Sequence, residues 1–463
     1  MTTSAAPAKG LPEGPLVAWY GDDFTGSAAV MEVLTFAGLP SVLFLAPPTP
    51  AQLARFAALR GIGIASTARA HGPDWMDRTL PAVFATLREL NAPITHYKVC
   101  STLDSAPEIG SIGRAIDLAL PVLGSAWTPI LVAAPPMRRY QLFGHLFAAG
   151  PGGVARLDRH PVMARHPVTP MDEADVARHL ARQTGRALAC LTLEDLASPE
   201  RAEAARQAHL AEGAALITLD CLDDASLAAC GRLIWEARGP HQLAVGSQGV
   251  EYALVRHWQE AGLIPEPPAT AGIGPAGRMA VVSGSVSPVT AAQIAWSLEQ
   301  GFAGVAFDAR AVIDAAALAA AEAEAVAAAL AAIGRGQDPL IFTARGPDDP
   351  AVPALRASLA AAGLPAEEAN VRIGSALGRV LDAVVCQAGL RRAVISGGDT
   401  SGHASRQLGI HALTALAPTI PGAAIFRAHG EGRHDGLELA LKGGQMGSPD
   451  YFGWVRDGGG ARG

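Results

Sequence analysis

"LVAWYGDDFTGSAAV", Leu16 to Val30, holds an apolar run that stops at Gly21, two adjacent acids, and a Thr-Gly-Ser that leads into a helix-like segment. A short apolar run handed to a helix through a polar loop is the repeating unit of a parallel sheet. The pattern recurs outward from this stretch. "SVLFLA", "GIGIAS", "ITHYKV", "PILVAA", "ALITLD" and "HQLAVG" read as strands, and "TPAQLARFAALR" and "MDRTLPAVFATLREL" between them read as helices. Strand–helix alternation requires crossover connections, so the expected fold class is α/β with largely parallel sheets.

"LIPEPPATAGIGPAGR", Leu263 to Arg278, is rich in Pro, Gly and Ala, lacks periodicity and reads as a linker. Beyond it the alternation resumes with "MAVVSG", "GVAFDA", "PLIFTA", "RAVISG" and "AAIFRA" as strands and "AAALAAAEAEAVAAALAAI" as a helix. The sequence therefore predicts two α/β domains, residues 1–262 and 279–463, joined by a linker at 263–278. No internal repeat is visible.

Composition excludes several classes. Of 463 residues 49% are hydrophobic and 17% charged, which excludes wholesale disorder. A formal charge of −7 offers no basic footprint for nucleic acid. Cys100, Cys190, Cys221, Cys230 and Cys386 are scattered, with no zinc spacing, and fit reduced thiols in a cytoplasm. The opening "MTTSAAPAKGLPEGP" has no apolar core and reads as a loose tail. "AVAAALAAI" from Ala325 is too short to cross a bilayer and follows Glu322 and Glu324, so a soluble, cytoplasmic protein with no membrane partner is expected.

Ligands of such sheets sit beyond the carboxyl ends of strands. One Asp suffices to cap a helix. Two adjacent carboxylates, Asp22 and Asp23, repel at close range, and the second points to a cation, a hydroxyl-bearing substrate or proton transfer. "GIASTARA" offers Ser66, Thr67 and Arg69, and "HYKVCSTLDS" offers Lys98, Cys100, Ser101, Thr102 and Asp104. Cations beside clustered hydroxyls suit a ligand with a carboxylate and several hydroxyls. Arg138, Arg139 and His145 follow, then Arg159, His160 and His166. The histidine spacing fits no zinc pattern, and no metal ligands are assigned.

Three loops of the second domain are small, hydroxyl-rich and glycine-rich. "VVSGSVSPVT" carries Ser283, Ser285 and Ser287; "VISGGDTSGHA" carries Gly397, Gly398, Asp399 and Thr400; "ALKGGQMGSPDYF" carries Gly443 and Gly444. Glycines admit close backbone approach, and helix N-termini favour anions, so three such loops point to a polyphosphate. No GxxxxGK[ST] is present, and "GIGPAG" at Gly272 precedes a strand where a dinucleotide fingerprint must follow one.

Taken together, "DDFTGS", "KVCSTLDS", "GHLF", "DRHPVMARHPVTPM", "SGSVSPVT", "GGDTSG" and "KGGQMGSPDYF" span nearly the whole chain in that order. The ordered set resembles the four-carbon acid sugar kinase family. The resemblance implies an N-terminal substrate domain and a C-terminal ATP-binding domain facing a central cleft. It assigns Asp22 or Asp23, Arg69, Lys98, Cys100, Ser101, Thr102 and His145 to the acid sugar. It assigns Ser283, Ser285, Ser287, Gly397, Gly398, Asp399, Thr400, Gly443 and Gly444 to ATP. "CSTLDS" is similar to the 3-oxo-tetronate branch, while Gln445 and Met446 replace the Asn and aromatic of "GNFG".

The expected activity is ATP-dependent phosphorylation of a terminal hydroxyl on 3-oxo-tetronate or a related four- or five-carbon acid, with Mg²⁺ on the phosphates. Arg69 and Lys98 would hold the substrate carboxylate, and one acid of the Asp22/Asp23 pair would orient or deprotonate the hydroxyl. The competing readings are a metal-dependent lyase or aldolase on a phosphorylated sugar acid, and a non-catalytic acid-sugar or nucleotide sensor. The expected partner is a small molecule, with room for a homo-oligomer.

Overall fold

The computed structural model describes residues 10–150, 152–267 and 269–462; residues 1–9 of the expected tail lie outside the described residues. The chain divides into two compact units, Met1–Pro267 and Pro268–Gly463.

The first unit is built on a parallel sheet of β1 (Val17–Gly21), β2 (Ser41–Phe44), β3 (Gly61–Ala65), β4 (Ile94–Lys98) and β5 (Thr128–Leu131), followed by a separate antiparallel sheet of β6 (Arg139–Leu142), β7 (His145–Gly150) and β8 (Gly153–Arg156). The strands β9 (Leu188–Leu191), β10 (Leu216–Leu219) and β11 (Gln242–Gly246) complete the main sheet, whose spatial order is β2-β3-β1-β4-β11-β5-β10-β9. Every pairing in that order is parallel. The central strands are buried on both faces, as near-continuous apolar runs require.

The second unit repeats this plan with β12 (Ala280–Ser283), β13 (Ala303–Ala306), β14 (Pro339–Phe342), β15 (Arg392–Ser396), β16 (Ile410–Ala417), β17 (Ile425–Gly430) and β18 (Glu438–Lys442). Its order is β13-β14-β12-β15-β18-β17-β16. The first five strands in that order pair in parallel, and β17 pairs antiparallel with both β18 and β16. In both units the chain starts on a central strand, builds two strands to one side, then crosses to the other. The order is 2-3-1-4 each time, an architectural repeat with no visible sequence repeat. It places a topological switch point beside β1 and another beside β12.

Two expectations need correction, and a third gains detail. "TPAQLARFAALR" forms only the single turn Pro50–Leu53, closed by a Thr49–Gln52 capping box. None of its residues is buried, so no apolar face propagates the helix, and Ala58 enters the left-handed region at φ 53°. The alanine-rich segment forms a helix over Ala315–Gly334, long and apolar enough by length and composition to cross a membrane, where the sequence reading found it too short. It is the crossover between β13 and β14, and it buries Ala325, Ala329 and Ala332 along one face. The stretch read as a linker is tied to the C-terminal tail from Thr270 onward: Ile273 N donates to Gly458 O at 2.9 Å and Ala276 N to Arg456 O at 3.1 Å. The buried Arg392 staples it, donating to Gly274 O at 3.0 Å while pairing with Glu438 at 2.6 Å.

Candidate functional site

The loops after β1, β3 and β4 meet at the first switch point. Asp22 N donates to Lys98 O at 2.9 Å and Arg69 N donates to Asp22 O at 3.0 Å, so three loops are stitched by their backbones. On this frame Arg69 faces three carboxylates. Its Nη2 lies 2.8 Å from Asp22 Oδ1 and 3.0 Å from Asp23 Oδ1; its Nε donates to Asp22 Oδ2 at 3.2 Å, and its Nη1 lies 3.7 Å from Asp104 Oδ2. Burial opposes the guanidinium charge, but Asp22 and Asp23 outweigh it and hold the Arg69 pKa well above its ordinary value.

The twin acids differ. Asp22 is buried, its side chain 2% exposed, and burial raises its pKa against the attraction of Arg69, with the Asp23 charge adding to the rise. Asp23 is 30% exposed and caps the helix Phe24–Phe36, accepting from Gly26 N at 3.1 Å. Burial raises its pKa too, but Arg69, Lys98 and the Gly26 N–H win, and the net shift is downward. Asp23 is therefore an ionised acceptor at neutral pH. Lys98 Nζ donates to Val99 O at 2.7 Å. A Cβ on Gly26 would sit 2.3 Å from both Lys98 Nζ and Asp23 Oδ1, so only glycine lets the helix start this close.

The Cys100–Asp104 loop completes this group. Thr102 Oγ1 donates to Asp104 Oδ1 at 2.8 Å and lies 3.0 Å from Cys100 Sγ. Burial and the Asp104 charge push the Cys100 thiol up to about 11, so it is a neutral contact group rather than a nucleophile. Leu103, buried at φ 52°, carries the strain of the turn. His145 Nδ1 lies 2.9 Å from Phe143 O and makes no hydrogen bond or ion pair to the Asp22 group among the described residues, and neither does the Ser101 side chain. His160 Nδ1 accepts from Val162 N and Met163 N, and His166 Nδ1 accepts from Thr169 N. Both histidines brace their own loops.

In the second unit the three glycine-rich loops converge at the other switch point. Ser283 and Ser396 end the paired strands β12 and β15, and both hydroxyls are buried without a partner among the described residues. Ser287 caps the helix Pro288–Glu299 by accepting from Thr290 N at 3.0 Å, and its hydroxyl donates to Gly444 O. Thr290 Oγ1 lies 3.0 Å from Ser285 Oγ and 3.1 Å from Gly444 O. A Cβ would stand 2.4 Å from Thr400 Oγ1 on Gly284, 2.8 Å from the same atom on Gly397, and 2.7 Å from Ser285 Oγ on Gly444. Gly398 opens the helix Gly398–Gln407, whose first N–H groups have no intrahelical acceptor. Asp399 lies in that helix, and its side chain is outside the described residues. Gly443 follows Lys442 at the end of β18.

Sequence reasoning passed over two members of this cluster, Thr290 and Lys442. Lys442 is fully buried; its Nζ donates to Gly443 O at 2.9 Å and to Thr290 Oγ1 at 3.2 Å. A signal was available: Lys442 ends a strand directly before a polar loop, as Lys98 does.

Comparison with known proteins agrees with this division. A family model described as a sugar-binding N-terminal domain matches residues 17–254, and one described as a nucleotide-binding C-terminal domain matches residues 280–452. The chain is 46% identical over 457 residues to the 3-oxo-isoapionate kinase of Paraburkholderia graminis, covering 98% of this chain and 97% of that protein. It is 32% identical over 457 residues to the 3-oxo-tetronate kinase of Cupriavidus necator, covering 96% of each. A solved structure from Salmonella typhimurium LT2 superposes with a TM-score of 0.77 at 25% identity, over 95% of this chain and 98% of that one. Sequence motifs, fold and full-length similarity thus agree: the chain is an acid sugar kinase, a member of the four-carbon acid sugar kinase family.

Proposed function

We propose that the enzyme transfers the terminal phosphoryl group of ATP to a terminal hydroxyl of an oxo-acid of the 3-oxo-isoapionate type, with 3-oxo-tetronate as a poorer substrate. The higher identity to the isoapionate kinase supports that order. The observation that carries the nucleotide reading is the cradle in the second unit. Gly284, Gly397 and Gly444 leave no room for a Cβ, and two buried serine hydroxyls beside them lack partners among the described residues.

In the first unit Asp23 is the group that meets the substrate hydroxyl. It is partly exposed and ionised, whereas Asp22 is buried and spends both oxygens on Arg69. Arg69 fixes the acids in place, and Lys98, Ser101, Thr102 and His145 receive the sugar acid. Phosphoryl transfer asks little more of a protein than positioning and charge neutralisation. Mg²⁺ suits this chemistry as a companion of the phosphates, because it keeps most of its waters and needs few protein ligands. The Asp22 and Asp23 carboxylates turn onto Arg69 and fit an Mg²⁺ cage poorly. Nor does the Asp382–Cys386–His434 cluster suit a hard cation, since it includes a thiol. The site of action is the cytoplasm, where ATP is supplied.

A coupled ATP-consumption assay across four- and five-carbon oxo- and hydroxy-acids tests this. The expected result is turnover with the highest kcat/KM on 3-oxo-isoapionate. Turnover on no acid of the panel would refute it.

A further inference from the structure

Lys442 is a cation in the wrong place unless an anion joins it. Its side chain is fully buried, its two acceptors are neutral, and no carboxylate lies within 4 Å of it among the described residues. Burying an unpaired ammonium costs enough that such groups normally shed their proton. Lys98, the matching strand-end lysine of the first unit, lies in the field of both Asp22 and Asp23. Among the described residues Lys442 has no such company.

The described residues of the surrounding elements agree with this isolation. Its register partner on β15 is Ser396, and the charged residues of that strand pair, Arg392 and Glu438, are bound to each other at the opposite end. The helix Pro288–Glu299 presents Thr290 and Gln293 toward this loop region, Gln293 donating to Met446 O at 2.9 Å. On the helix Gly398–Gln407, His403 packs against Gly374 and Arg406 is exposed, while the Asp399 side chain is outside the described residues.

What Lys442 does touch is the cradle. Its two acceptors, Thr290 and the Gly443 carbonyl, belong to the loops that converge around Gly444 and Ser285. We propose that Lys442 is the proton-linked counter-charge of the nucleotide: it is neutral in the free enzyme near pH 8 and takes one proton from solvent, becoming an ammonium, when the polyphosphate docks on the three loops. Burial supports the free-state half of this, lowering the Lys442 pKa to about 7. Lys442 is thus a positioning residue whose charge state switches with occupancy. The inference rests on the nucleotide reading above.

The test uses the full chain and a non-hydrolysable ATP analogue with Mg²⁺, titrated calorimetrically at about pH 8 in buffers of different ionisation enthalpy. The wild type should take up close to one proton per nucleotide, and its Kd should rise about tenfold between about pH 8 and pH 9. Lys442→Met should bind more weakly and without uptake. Lys442→Arg, charged throughout, should bind without uptake. Nucleotide binding with no proton uptake by the wild type, or equal uptake by the variants, overturns the inference and leaves the kinase reading standing. Absence of nucleotide binding by the wild type overturns both. The wild-type pH series needs no variant to fold.

Discussion

Arg69 and Asp22 form a two-bond pair, Nη2 to Oδ1 at 2.8 Å and Nε to Oδ2 at 3.2 Å, with Asp23 sharing the same Nη2 at 3.0 Å. One guanidinium therefore bridges both members of an adjacent acid pair, and Lys98 adds to the positive field on them. Arg69→Met leaves two carboxylates facing each other without it. We expect a loss of about 3 kcal/mol, the low end for breaking a buried pair because Arg69 is a quarter exposed. Chemical denaturation measures this. Unchanged stability would mean that the pair is neutralised elsewhere.

The two aspartates should separate cleanly in kinetics. Asn caps a helix about as well as Asp, so Asp23→Asn keeps the Gly26 contact and removes only the charge. We expect kcat to fall at least about 100-fold with stability within about 1 kcal/mol of wild type. Asp22→Asn should instead destabilise, since it loosens the Arg69 pair. An Asp23→Asn enzyme with full kcat would exclude it from the reacting hydroxyl.

Much of this was legible in the residues themselves. Alternating apolar runs gave the parallel sheets because strands buried on both faces have little freedom of composition; β4 and β15 are examples. The acid pair drew attention because one carboxylate is enough for a cap. Its division of labour was hidden, because only the fold brings Arg69 from β3 to both acids. The strands β9 and β16 went unread: "LACL" is too brief to show a period, and β16 mixes small and polar residues along an antiparallel pairing. Lys442 was overlooked because a lysine is by default a solvated charge, and its burial is a tertiary fact.

The glycine cradle makes a sharp contrast available. Gly284→Ala places a methyl 2.4 Å from Thr400 Oγ1, whereas a Cβ on Gly402 meets nothing within 4 Å. We expect Gly284→Ala to raise the KM for ATP at least about tenfold, equivalent to about 1.4 kcal/mol, with the KM for the acid unchanged. Gly402→Ala should be neutral to slightly stabilising through helix propensity. Equal ATP kinetics in both variants would mean the cradle does not hold the nucleotide.

Lys442 should set function against stability in a pH-dependent way. Its folded-state pKa of about 7 lies below the ordinary lysine value of 10.5, so between those limits the unfolded chain binds the extra proton and stability rises with pH. Below pH 7 the ammonium is charged in both states and the folded form bears the full burial penalty. Lys442→Met removes that penalty. The nucleotide-free variant should therefore melt higher than wild type at about pH 6, with the difference shrinking steadily toward about pH 10, while its nucleotide affinity is lower throughout. Thermal melts across that range measure the slope. A variant that melts lower than wild type at about pH 6 would show that the Thr290 and Gly443 contacts outweigh the buried charge, and that Lys442 is a structural bolt first.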